Sequence, residues 1–176
     1  MDDALSLIER SSGARRNGDH ETALRLAEAA VETARRCNDV DGRGSALAQL
    51  ARLRRDEGRS EEAVELYEEA AGIARDQADF LALAQRLRHI GDFLVEQGDL
   101  ARAEQCYDEA GQLFEAHGTG QLTMANFLRS KALLREKQGA NAAAAQLWTD
   151  ARVLYAASGI DAGVEESDRR LQRLSY

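Results

Sequence analysis

The chain has 176 residues, the size of one domain or one short repeat array. Its 31 acidic residues outnumber 23 basic ones, and a formal net charge of −8 lacks the basic footprint that phosphate backbones require, so nucleic acid is not an expected partner. There is no proline and only 5% aromatic residue against 44% hydrophobic, which speaks against a turn-rich β-architecture and for an alanine-rich helical core.

Hydrophobic periodicity near 3.6 sets the helices in pairs. The first pair covers about 3–17 and 20–36, and the second about 42–57 and 60–76. The third covers about 79–97 and 100–116, and the fourth about 120–138 and 141–157. The first helix opens with Ala4, Leu5, Leu7 and Ile8 and has no capping residue assigned before it, an apolar end on which a second copy would pack. A last segment, about 161–174, gathers Val164, Leu171 and Leu174 on one face and places Glu165, Glu166, Asp168, Arg169, Arg170 and Arg173 elsewhere, as a capping helix does. No apolar run approaches the length of about 18 residues that spans a bilayer, so no membrane partner is expected. Met1, Asp2 and Asp3 do not open a secretory leader, and Cys37 and Cys106 read as buried thiols, so the expected compartment is the reducing cytoplasm.

The pairs repeat. Gly18, Gly58, Gly98 and Gly139 are spaced 40, 40 and 41 residues apart. Eleven residues before each stands Leu7, Leu47, Leu87 or Leu128, and seven before each a small residue, Ser11, Ala51, Gly91 or Ala132. Five after each stands Ala23, Ala63, Ala103 or Ala144, and nine after each Ala27, Tyr67, Tyr107 or Trp148. Twelve after each comes another alanine, Ala30, Ala70, Ala110 or Ala151. A glycine suits the left-handed position that ends a helix. Asp19, Ser60, Asp99 and Asn141 follow as capping types for the next helix. The unit is therefore helix A, tight turn, helix B. Its small residues mark the place of closest approach, and the large residue nine after the glycine fills the remaining space.

These residues resemble the tetratricopeptide repeat: the small residue of helix A (best matched by Ile90-Gly91), the turn glycine, and the Ala-Tyr-Ala run of helix B, closest in Gly98 to Ala110. The family's usual period is about 34 residues. Here it is 40, like the longer-helix variants of bacterial regulators and kinesin light chains, and the family's proline is absent. The resemblance implies an all-α, right-handed α-solenoid of four helix-turn-helix repeats (about 1–38, 39–78, 79–118 and 119–158) plus the capping helix, in a single domain over 1–176. It also implies that helix A lines a concave groove and that the work is binding another protein.

Charge divides between the helices. Arg52, Arg54, Arg55, Arg86, Arg88, Arg129, Lys131, Arg135 and Lys137 lie on A helices, whereas Glu61, Glu62, Glu65, Glu68, Glu69, Glu104, Asp108 and Glu109 lie on B helices. The positions that line the groove in the resembled family pick out Arg52, Arg55, Arg88 and Arg129, with Gln49, Gln85, His89 and Asn126 among them. Guanidinium forks pair with carboxylates, and amide side chains bond an extended backbone. The expected ligand is an acidic peptide or helix segment. The competing expectation is that these arginines only pair with neighbours such as Asp56, Glu57 and Asp92 or with helix-B acids. Ile8 and Ser12 stand where chaperone-binding relatives carry lysine and asparagine, so a chaperone tail is not the expected ligand.

No catalytic constellation accompanies this. His20, His89 and His117 stand far apart, no His or Cys pair has metal-ligand spacing, and the glycines mark turns and make no phosphate loop. The expectation is a binding module and no enzyme, without cofactor or metal, and with a protein partner. The alternatives are a self-associating scaffold, which would form a homodimer, and a regulatory domain that senses a small ligand or signalling peptide.

Overall fold

The computed structural model describes residues 2–175, so Met1 and Tyr176 of the expected domain lie outside the described residues. Among the described residues there are nine helices and no strand: α1 (Ala4–Arg16), α2 (His20–Arg36), α3 (Val40–Asp56), α4 (Ser60–Asp76), α5 (Phe80–Gln97), α6 (Leu100–His117), α7 (Gln121–Lys137), α8 (Asn141–Ala157) and α9 (Asp161–Leu174). This is an all-α solenoid of helical hairpins with α9 behind the last hairpin.

Two sets of turns punctuate it. Gly18, Gly58, Gly98 and Gly139 all have φ between 74° and 85°, the left-handed conformation expected of them. The later turns likewise use positive φ, at Asn38, Ala78, Gly118 and Gly159. Each new B helix begins two residues after its glycine, so the cap is the residue directly after it. Asp19 and Asp99 hold that place and accept from the amides of Thr22 and Arg102. Ser60 and Asn141 do not: they are the first helical residues, and Arg59 and Ala140 before them make no side-chain cap bond. Asp39 and Asp79 cap α3 and α5 through the amides of Gly42 and Ala82. Asp3 caps α1 through the Ser6 amide at 2.8 Å, so that helix is capped after all.

The chain divides into two compact units, one ending at Arg86 and one beginning at Leu87. In the first unit α1 packs on α2 and α3, and α3 on α4. Ser11, fully buried, donates to the Ala23 carbonyl at 2.8 Å and ties α1 to α2. Ala23 and Ala27 cluster with Leu50 and Leu53, and Leu7 and Leu26 with Ala30 and Ala46. Ala4 and Leu7 are buried and Ile8 half-buried, so of the apolar residues that open α1 only Leu5 stays exposed, at 62%.

In the second unit α5 presses Gly91 against the Tyr107 ring of α6. The Phe114 ring meets Phe127 of α7 edge-on at 5.3 Å. Ala132, Ala144 and Trp148 form the α7–α8 core, with Leu171 and Leu174 of α9 packed on it. The residues five, nine and twelve after each turn glycine are buried in all four hairpins. Neither cysteine is in a disulfide. Cys37 is exposed, contrary to its reading as a buried thiol, because it caps the end of α2 beside the turn at Asn38.

Candidate peptide-binding face

The eight candidate residues fall four to a unit. Gln49, Arg52 and Arg55 stand on α3 and Gln85 on the first part of α5. His89 and Arg88 stand on the rest of α5, and Asn126 and Arg129 on α7.

In the first unit Gln49 is only 3% exposed, and its amide donates to the Ser11 hydroxyl at 3.2 Å. It thereby extends the α1–α2 tie to α3. Arg54 is held by Glu28 of α2 at 2.7 Å and by Glu57 at 3.0 Å. Arg15 of α1 reaches Asp56 at the end of α3, with Nη2 at 3.2 Å. Arg52, Arg55 and Gln85 are half-buried. Among the described residues no ion pair engages Arg52, and its positive charge acts on neighbouring Arg86.

The second unit is neutralised from within. Arg88 donates to Asp92 at 3.0 Å and shares a 2.8 Å contact with His89 Nε2. Asp92 in turn accepts from the Tyr107 hydroxyl at 2.8 Å. Burial, reinforced by the Asp92 charge, pushes the Tyr107 phenol far above its ordinary value, so it stays a donor. Asn126 accepts from the Tyr155 hydroxyl at 2.8 Å. Arg129 grips Glu166 of α9 with two bonds, at 2.7 and 3.0 Å. That fork raises its pKa against the opposing effect of burial.

Position within the repeat makes the contrast plain. Asp92 and Arg52 both stand six residues before their turn glycine. The third hairpin therefore carries an acid where the second carries a base. The acid is satisfied by Arg88 and Tyr107. The residue matching Arg88 in the second hairpin is Ala48, so the second hairpin does not repeat the Arg88–Asp92 pair. Several helix-A bases that the sequence assigns to one basic face turn instead to the preceding B helix: Arg54 to Glu28, Arg135 to Glu104 at 2.7 Å, and Lys131 to Asp108 at 3.5 Å. One residue outside the candidate set belongs with it. Arg86 lines a cavity with Ser45 and Gln77, and its Nε is closed to solvent with no hydrogen-bond partner. Its repeat position holds Ser6, Ala46 and Phe127 elsewhere, and that mismatch is the signal in the sequence that points to it.

Among the described residues no group of three His, Cys, Asp or Glu side chains is placed to hold a metal ion, and no helix is long and apolar enough to cross a membrane.

Residues 2–76 match the family model described as tetratricopeptide repeat. The fold is similar to that of BtubC from P. vanneervenii, with a TM-score of 0.67 at 20% identity over 97% of this chain and 78% of that one. It is similar also to a putative kinesin light chain with nearly identical TPR-like repeats from Podospora anserina, with a TM-score of 0.70 at 16% identity over 99% of this chain and 97% of that one. No functionally curated protein matches the chain in sequence.

Proposed function

We propose that the chain, whose residues 2–76 match the tetratricopeptide repeat model, works as such repeats generally do, by protein–protein interaction without catalysis, and binds an acidic peptide or helix segment on the helix-A side of its first unit. Arg52 and Arg55 supply the positive charge and Gln85 an amide for the ligand backbone. Gln49 acts from behind, by fixing α3 to Ser11. Arg88, His89, Asn126 and Arg129 form the matching face of the second unit, where bonds to Asp92, Tyr155 and Glu166 already balance their charge and polarity.

The observation that carries this reading is Arg52, a half-buried residue with no ion pair among the described residues, at the repeat position where Asp92 bonds Arg88 and Tyr107. Keeping a cation partly desolvated without a counter-ion disfavours the free protein, and an acidic ligand removes that penalty on binding.

The test is capture of partners from lysate by wild type, Arg52→Glu and Arg135→Glu, each first verified as helical by circular dichroism. A partner held by wild type and Arg135→Glu but released by Arg52→Glu supports the reading. Equal retention by all three contradicts it.

A further inference from the structure

Arg86 stands where the other repeats carry an uncharged side chain, half-buried at Ser6 and buried at Ala46 and Phe127. The matching residues Ala46 and Phe127 are 0% and 5% exposed, and Phe127 fills its place by packing on Phe114 and over Gly111. Arg86 instead lines a cavity of about 60 Å³ bordered by α3, α4 and the start of α5. No ion pair engages it among the described residues, and its Nε has no acceptor. Asp79, on the same wall, is committed to capping α5 through the Ala82 amide at 3.0 Å. Burial depresses the Arg86 pKa and the positive charge of Arg52 adds to this, while Tyr67 and Asp79 oppose it. Arg86 thus has no ion-pair partner among the described residues, beside a space lined by Asp41, Ser45, Gln77 and Asp79.

We propose that this cavity is a carboxylate site, in which Arg86 receives one acidic side chain of the bound segment as its anchor. The inference rests on the first unit being the receiving face and names the chemistry of its deepest contact. A cavity of this size takes a few waters or the tip of one side chain, and admits no ring or nucleotide. A guanidinium fork matches a planar carboxylate through two parallel bonds. Asp41 and Asp79 on the wall repel any anion, and a doubly charged phosphate more than a singly charged carboxylate.

The test is NMR of the arginine Nε–Hε groups in the full chain. Sodium acetate, N-acetylglutamate amide, N-acetylalanine or sodium phosphate replaces sodium chloride at fixed ionic strength. The Arg86 resonance is assigned by its loss in Arg86→Phe, which gives α5 the residue that α7 carries at the matching position, Phe127. A saturable shift of that resonance with acetate and N-acetylglutamate amide, at least tenfold weaker with phosphate, is expected. N-acetylalanine, which offers a chain-terminal carboxylate on a branched carbon, is expected to bind more weakly than the glutamate probe. In wild type, no saturable response to either acetate or the glutamate probe overturns the site, and so does an equal or stronger response to phosphate. An acetate response at Arg86 together with Arg52→Glu leaving partner capture intact keeps the cavity site and removes the wider reading. Capture lost in Arg52→Glu with no carboxylate response at Arg86 does the reverse.

Discussion

Gly91 leaves no space for a side chain against Tyr107: a Cβ added to it meets the ring carbon Cε1 at 2.5 Å. The obstacle is a ring that is itself fixed, buried on all sides and donating to Asp92. Gly91→Ala is therefore expected to destabilise the second unit by about 1–3 kcal/mol in chemical denaturation. Adding Tyr107→Leu to Gly91→Ala is expected to return part of that loss, since it removes the clashing ring. Full stability in Gly91→Ala alone contradicts the close approach of α5 and α6.

Ala78 has φ of +54° at the turn between α4 and α5, where the matching turns carry Asn38, Gly118 and Gly159. A left-handed alanine costs about 1–2 kcal/mol, which the added backbone freedom of unfolded glycine offsets only in part. Ala78→Gly is expected to raise stability by about 0.5–1 kcal/mol, seen as a higher denaturation midpoint with an unchanged slope. A lower midpoint contradicts the assigned backbone.

Glu104 on α6 accepts from Gln138 at 2.9 Å and pairs with Arg135 of α7 at 2.7 Å. The Gln138 bond, then the Arg135 bond, holds its carboxyl below the ordinary glutamate value. A depressed folded-state pKa contributes stability above the unfolded-state value, and that contribution is lost as pH falls through the folded-state value. Glu104→Gln is expected to cost less than about 1 kcal/mol at pH 7, because the site is open to solvent. The difference from wild type is expected to close below about pH 4, as wild-type Glu104 is protonated. A penalty that persists unchanged in acid contradicts the assignment.

Arg129 and Glu166 join α7 to α9 by a two-pronged bond. A double-mutant cycle with Arg129→Ala and Glu166→Ala is expected to give a coupling of about 0.5–1 kcal/mol. A coupling of zero contradicts the role of this pair in seating the capping helix.

The hairpins were legible because they rest on local periodic signals. The leucine, the small residue, the turn glycine and the helix-B alanines recur at fixed offsets, and each recurrence has one steric meaning, seen at Gly91 and Tyr107. The caps were half legible. Ser60 and Asn141 are capping types, but the turn leaves a single residue between glycine and helix, and Arg59 and Ala140 occupy it. The breaks between hairpins were legible, at Asn38 and Gly118 for example, but the positive φ of Asn38 and Ala78 was not, because neither is a glycine. Face charges were the least legible. Whether an arginine points to a ligand or a neighbour depends on acids 23 to 31 residues away, as with Lys131 and Asp108 or Arg135 and Glu104, and no local pattern encodes that. Gln49 reads as a surface amide, yet its partner is Ser11, one repeat back.

The most direct test of the receiving face is an amide chemical-shift map of the chain titrated with a glutamate-rich peptide, against a lysine-rich peptide of equal length. Saturable shifts on α3 from Gln49 to Arg55 and around Gln85 and Arg86, given by the acidic peptide alone and abolished in Arg52→Glu, are the expected result. Shifts confined to α9 or to the helix-B surfaces, or equal responses to both peptides, contradict the account.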